Sequence, residues 1–343
     1  MNLKEIKASA SALASNFRGH IPMDEAVRTM VAVQPKYEEY WSDVERSVVA
    51  GNPLSQSLPT IWPDALVGAV KAGEESGKME EVFAHITKAT EIQLQLRKLL
   101  MKLTYPAGIG LAGVLVFILI MVLVAPNTAR SFRAQDSNGI TQLAFAMEAV
   151  FKPYWMMILA GVAVASVLAF KWATSEEGKG ALTEIALQVP YLGPGLRDMY
   201  FGLWAEYMAM MSAAGITTDR AILLTVDLMP VSLRDGLVAF ERDISVNNLS
   251  LEQAANVGAL RADDPRQEWP LFIRRAFIVG DRAGDLDGEM QRIAPELIQQ
   301  GVAKISVSIE LGNVGATVLA GLLAASSFAG IYAPIIGAAK SFH

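Results

Sequence analysis

Ile61-Trp62-Pro63, continuing to Ala72-Gly73-Glu74-Glu75-Ser76-Gly77-Lys78-Met79 and Ile86, decides how this chain is organised, because the pattern occurs twice. Moving 207 positions on, from Trp62 to Trp269, gives Trp269-Pro270, then Val279-Gly280-Asp281-Arg282-Ala283-Gly284-Asp285-Leu286 and Ile293. Trp62/Trp269, Pro63/Pro270, Ala69/Ala276, Gly73/Gly280, Gly77/Gly284 and Ile86/Ile293 align without a gap, and Asp281 keeps the acid of Glu74. Upstream, His20-Ile21-Pro22-Met23-Asp24-Glu25-Ala26 is echoed by Gly215-Ile216-Thr217-Thr218-Asp219-Arg220-Ala221 at a slightly different offset. Two matches in the same order indicate an internal duplication.

Each copy has helical periodicity. After Gly77, apolar residues fall at Met79, Val82, Phe83 and Ile86, one face of a helix, with Glu80, Glu81, Lys88 and Glu91 on the other. Pro53, Pro59 and Pro63 break the preceding segment into short helices and turns. No run alternates apolar and polar residues as a strand would. The expected fold is all-α, with each copy a bundle of antiparallel helices.

Between and after the copies lie apolar windows. The chain has 343 residues, is 52% hydrophobic and has a mean hydropathy of +0.32, high for a soluble protein. Leu103 to Ala125 and Leu311 to Ala339 carry no charge, and Pro153 to Phe170 is uncharged between Lys152 and Lys171. A helix crosses the hydrocarbon core with ~20 apolar residues, so all three qualify, the middle one narrowly. Extending the 207-residue offset carries Tyr105-Pro106 onto Gly312-Asn313, which makes the first and third windows equivalent parts of the two copies. Two such units share one side of a membrane only if a return crossing separates them. The middle window supplies it. The expected order is a helical domain at 1–102, a span at 103–125, an outer (periplasmic) loop at 126–152, a return span at 153–173, a second helical domain at 174–310 and a third span at 311–339. Arg97, Lys98, Lys102, Lys171 and Lys179 flank the inner ends, against Arg130, Arg133 and Lys152 outside, which places both domains in the cytoplasm. Residues 1–17 carry Lys4, Glu5 and Lys7 and have no apolar core of a signal peptide, so the amino terminus is expected to be cytoplasmic.

Charge and motifs narrow the chemistry. Residues 1–102 hold 12 basic against 13 acidic side chains, and residues 174–310 hold 12 against 20. Neither is a basic surface, so nucleic acid is excluded as a partner. There is no cysteine, and the three histidines have no metal-ligand spacing. Gly73 to Lys78 has P-loop-like glycines, but Met79 stands where Ser or Thr would hold Mg²⁺, no apolar strand precedes it, and Glu74 and Glu75 would repel phosphate. No catalytic residue, cofactor or metal site is expected. The spans have uncharged cores, unlike an ion-coupled transporter.

Two sets of residues remain as candidates. Gly73, Glu74 and Gly77, with Gly280, Asp281 and Gly284, form a corner between helices, and the acids suit a helix amino terminus. The same residues could dock a partner. The structural reading is favoured because glycine so commonly punctuates helices, and both can hold. In the third span, Gly321, Ala325, Ala329, Ala333 and Gly337 recur every fourth residue, a small-residue face suited to close helix packing. Packing within the chain is the simpler use, and a groove for another membrane helix the alternative.

Taken together, the duplicated helical domain, Gly73-Glu74-Glu75-Ser76-Gly77, the amphipathic helix after it, Tyr105-Pro106 at the mouth of the first span and Gly51-Asn52-Pro53-Leu54-Ser55-Gln56-Ser57-Leu58 resemble the polytopic inner-membrane platform proteins of type II secretion systems (the F component) and type IV pili. The early start of the first domain is most like platform proteins of type IVb and thin pili. The second copy departs from the motif, with Asp for Glu and Ala for Ser. The resemblance implies a multi-pass bacterial inner-membrane protein, not an enzyme, whose cytoplasmic domains contact a hexameric secretion ATPase. Its spans would contact pilin, other inner-membrane assembly proteins and lipid, and it would self-associate as a homo-oligomer. Its function would be to couple the ATPase to pilin insertion into a growing fibre. The alternative is a membrane permease subunit of a solute transporter, for which Thr104, Asn313, Thr317, Ser326 and Ser327 are poor pathway residues.

Overall fold

A computed structural model describes residues 2–58, 61–102, 104–131 and 139–340, with some side chains inside helices outside the description. The described residues form helices and turns, with no strand among them. The first copy runs α1 (Leu3–Arg18), α2 (Met23–Val33), α3 (Glu38–Val49), the single turn α4 (Leu54–Ser57), α5 (Asp64–Ser76) and α6 (Met79–Lys102). Next come α7 (Thr104–Leu119), a π-helical turn (Ile120–Val124), α8 (Ala125–Ser131), α9 (Gly139–Thr174) and α10 (Glu176–Gln188). The second copy is α11 (Leu192–Ala213), α12 (Thr218–Thr225), α13 (Val231–Ser245), α14 (Leu251–Leu260), α15 (Leu271–Ala283) and α16 (Leu286–Lys340).

Three corners of each copy use a left-handed residue at matching places: His20 and Gly215 after the first helix, Gly51 and Asn248 before the short fourth, Gly77 and Gly284 before the long last one. Their φ values are 56° and 81°, 88° and 50°, 72° and 66°. Short 3-10 turns follow α2 and α12 alike (Pro35–Tyr37 and Val226–Leu228).

The chain divides into two compact units. One contains residues 1–99 and 183–305, so both copies build a single helical body. Its core combines Trp41, Phe83 and Met30 from the first copy with Phe201, Trp204, Phe240 and Phe277 from the second, all fully buried. Helix α11 is buried along nearly its whole length. Its glycines explain how: a Cβ on Gly195 would lie 2.8 Å from Ile305 Cγ1, and one on Gly202 would lie 2.8 Å from Ile298 Cγ1. On α16, a Cβ at Gly301 would come within 2.5 Å of Met199 Cγ. Small residues on both helices let α11 and α16 approach closely.

The other unit contains residues 100–182 and 306–343. Two helical runs, Met79–Ser131 and Leu286–Ile336, are long and apolar enough to cross a membrane. Only 6% and 11% of their most apolar stretches are buried, so these are not core helices of a soluble body. Along α16 the inward side chains are Asn313, Ala316, Ala320, Leu323, Ser327, Gly330 and Pro334, a 3-4 alternation typical of a packed helix seam. Gly113 faces it; a Cβ there would lie 3.3 Å from the Cβ of Ala320. Gly113 and Ala320 are 207 positions apart, so equivalent residues of the two copies meet. Pro106 also lies beside Gly312, one position off that register.

The π turn has a local cause. Pro126 has no N–H and its ring crowds the carbonyl four residues earlier, so the backbone widens and Ala125 N–H bonds Ile120 O instead. The helix then continues to Ser131, and α9 begins at Gly139, so much of 126–152 is helical. The 153–173 window lies within α9, where Tyr154, Met156, Met157, Val164, Val167 and Leu168 are exposed.

Candidate functional site

Both glycine–acid corners form from the same local rules. Helix α5 ends at Ser76 because Gly77 adopts a left-handed φ of 72°, which costs a residue with a Cβ. Lys78 N–H then bonds Gly73 O at 2.9 Å, closing the helix end. In the second copy Gly284 ends α15 at φ 66°, and Asp285 N–H bonds Gly280 O at 3.2 Å. The earlier glycine of each pair does a different job. A Cβ on Gly73 would lie 2.9 Å from Val82 Cγ2, and one on Gly280 would lie 2.9 Å from Leu286 Cα. Each permits its helix to cross close against the next.

The acids point back in sequence. Glu74 accepts the backbone N–H of Leu54 at 2.5 Å and of Ser55 at 3.1 Å, capping α4 twenty residues upstream. Helix α4 is one turn long and begins after Pro53 with no side-chain cap of its own. Asp281 does the same for α14, accepting Glu252 N–H at 3.1 Å. A carboxylate at a helix amino terminus satisfies free N–H groups and meets the positive end of the helix dipole. Glu74 and Asp281 are half-buried. A groove of about 700 Å³ lies beside the first corner, lined by residues including Asp24, Val49, Pro53, Glu74 and Gly77.

The small-residue face of α16 is placed differently. Gly321 and Ala325 are exposed and Ala329 is half-buried, one step round the helix from the seam at Ala320, Ser327 and Gly330. The side chains of Ala333 and Gly337 lie outside the description.

Sequence reasoning missed the link between the copies. His85 Nδ1 on α6 and Glu206 Oε1 on α11 are hydrogen-bonded at 2.6 Å, both side chains buried. Gln93 donates to the Tyr207 hydroxyl at 2.8 Å along the same pair of helices. A signal was available: Glu206 is the lone charge between Asp198 and Asp219, in the largely apolar later part of α11. Also missed was the cluster of Arg130, Glu148 and Lys152 in the other unit. Among the described residues no group of three or more His, Asp or Glu could hold a metal ion.

These features define a helical protein with two glycine–acid corners and two largely exposed apolar helical runs of membrane-spanning length. The resemblance drawn from the motifs is borne out by comparison: residues 10–126 match the family type II secretion system (T2SS), protein F. The type II secretion system protein F of Aeromonas hydrophila is 20% identical over 313 residues, covering 89% of this chain and 79% of that protein. The type IV pilus assembly protein PilC of Thermus thermophilus is 22% identical over 312 residues, covering 88% and 75%. The PilC protein of Pseudomonas aeruginosa is 21% identical over 272 residues, covering 76% and 69%.

Proposed function

We propose that this chain is an inner-membrane platform protein of a type IV pilus or type II secretion assembly machine. The observation that carries the reading is the similarity, over most of the chain, to relatives named for those two machines. It is supported by a duplicated helical body joined to apolar, outward-facing helices. The permease alternative has no such support. In this reading both copies lie in the cytoplasm, and the chain crosses the membrane three times, α9 providing the return. The exposed apolar side chains of α9 support the third crossing.

The chain performs no hydrolysis. A hexameric ATPase docks on the cytoplasmic body, with the groove beside Glu74 as the candidate contact, and pilin meets the membrane helices. Motor movements passed through the body shift the platform and add one subunit to the fibre. Further copies of this chain complete the platform.

Affinity purification of the detergent-solubilised full chain from its native host tests this. Co-purification of a hexameric ATPase with a pilin is the expected result. A nucleotide-binding transport subunit with a soluble binding protein would overturn the reading in favour of a permease. The absence of cysteine makes topology accessible. In intact spheroplasts an impermeant thiol reagent should label Ser131→Cys, and leave Ser76→Cys and Ala283→Cys unlabelled.

A further inference from the structure

Where α8 and α9 meet, three charged side chains form a cluster that the platform reading does not use. Glu148 on α9 is 5% exposed. Arg130 at the end of α8 grips it with two nitrogens, Nη1 donating to Oε1 at 2.9 Å and Nη2 to Oε2. Lys152, one turn along α9, donates Nζ to the same Oε1 at 2.9 Å. Arg130 Nη1 also reaches Asn127 Oδ1 at 3.4 Å, and the guanidinium lies 5.3 Å from the centre of the Phe145 ring. An opening of about 560 Å³ is lined by Arg130, Phe145, Glu148, Ala149, Lys152 and Pro153.

A brace between two helices needs one cation for one carboxylate. Here two cations share it, leaving a net positive charge beside an opening. The carboxylate is buried, whereas the side chains of Arg130 and Lys152 are 43% and 63% exposed. Lysine has three N–H donors and arginine five, so both keep donors for an outside acceptor. Arginine and lysine together suit phosphate oxygens, and Glu148 holds them in place.

Position supplies the second argument. The first apolar window ends at Ala125, and Arg130 lies five residues on, about 7.5 Å at a helix rise of 1.5 Å per residue. Lys152 directly precedes Pro153, where the next apolar window starts. Both cations therefore sit just past the apolar ends of two helices, at the depth of lipid headgroups. We infer that Arg130 and Lys152, positioned by Glu148, bind the phosphate of an acidic lipid headgroup where α8 meets α9. The inference rests on the reading of α7–α8 and α9 as membrane helices.

The test uses full-length protein in nanodiscs of phosphatidylglycerol and phosphatidylcholine, extracted into mild detergent, with retained lipid counted by native mass spectrometry. Wild type should retain phosphatidylglycerol in preference to phosphatidylcholine. Arg130→Gln/Lys152→Gln should lose the preference, and Glu148→Gln, which takes away the carboxylate that anchors both cations, should weaken it. Equal retention in wild type and the double variant overturns the site, and an undiminished preference in a folded Glu148→Gln protein overturns the positioning role of Glu148. Inorganic phosphate alone should leave the melting temperature unchanged, whereas phosphatidylglycerol raises it. An equal rise with both would assign the site to free phosphate and overturn the lipid. Carbonate washing of native membranes separates the underlying premise: release of the chain into the soluble fraction would refute the membrane reading itself.

Discussion

The two copies share corners but not chemistry. In the first, α4 is a single turn without a side-chain cap, and Glu74 supplies both N–H contacts. In the second, α14 is ten residues long and carries its own capping box, with Ser250 and Gln253 bonded reciprocally. Asp281 adds one bond, and Arg282 pairs with Glu252 beside it. The shorter acid suffices because the helix already has a cap. The cores differ as well. Trp269 has Phe201, Phe240 and Phe277 at 5.8, 5.3 and 6.0 Å, whereas its equivalent Trp62 has Phe83 at 6.3 Å. The two segments keep the same left-handed backbone geometry at these corners. Side chains were free to change wherever another group could take over the hydrogen bond or fill the volume.

The largest effect should follow from the cores. Trp269→Ala should destabilise the chain by about 3–5 kcal/mol, the usual cost of removing a buried aromatic residue. Trp62→Ala should cost less. Its indole N–H is buried without an acceptor among the described residues, and its removal recovers part of that desolvation cost. Thermal unfolding of detergent-solubilised variants measures both. A larger loss at Trp62 would mean that the first copy carries the body's stability.

The link between copies comes next. Glu206→Ala removes one partner of a buried hydrogen bond and leaves His85 unsatisfied, at a cost of about 2–3 kcal/mol. Glu206→Gln keeps an acceptor for the imidazole and should cost about half as much. Unfolding of the alanine variant should separate into two transitions, because the copies lose their buried polar contact. A single transition, as in wild type, would show that apolar packing and the remaining Gln93–Tyr207 hydrogen bond suffice to couple them.

The corners should show smaller, unequal effects. Glu74→Ala uncaps α4 and should cost about 1–2 kcal/mol, while Asp281→Ala should cost about 0.5–1 kcal/mol because Ser250 remains. Fibre assembly in these variants separates the two uses of Glu74. Glu74→Gln retains oxygen acceptance but loses the charge. Normal assembly with it would leave Glu74 a helix cap and remove it from the docking surface.

Much of this was legible in the sequence because it is local. Periodicity after Gly77, the glycine at each helix end and the apolar windows depend on neighbours within a few residues. The offset of 207 pointed to both glycine ends, Gly77 and Gly284, which are left-handed helix caps alike. What could not be read was set by contacts across space. Nothing within the motif indicates that Glu74 reaches α4, twenty residues earlier, since that depends on how α5 folds back. His85 lies on the same helical side as Val82 and Ile86, so it looks like an isolated polar residue until α11 arrives. The exposure of Gly321 and Ala325 turns on a rotation of about one residue, below what a four-residue spacing can decide.

The smallest effect concerns the acids that anchor each copy and distinguishes them by pH. Glu5 accepts the Asn2 backbone N–H at 2.7 Å and the Tyr37 hydroxyl at 2.7 Å, with Lys36 at 3.2 Å. These contacts, the backbone bond foremost, lower its pKa from 4.5 to about 2. A depressed carboxylate contributes stability that is present above its unfolded value and lost as pH falls through the folded one. The difference in urea midpoint between wild type and Glu5→Gln should therefore be constant above pH 4.5 and vanish towards pH 2. In the second copy, Arg266 is the first cause holding Asp264 below its ordinary 3.8, by a bond of 2.7 Å from a guanidinium that is almost fully buried. The corresponding difference for Asp264→Asn should hold its plateau further, down to pH 3.8, before it begins to close. If both differences closed over one range, the exposed network around Glu5 and the buried pair around Arg266 would be electrostatically alike, and the contrast between the copies would be confined to their helix caps and aromatic packing.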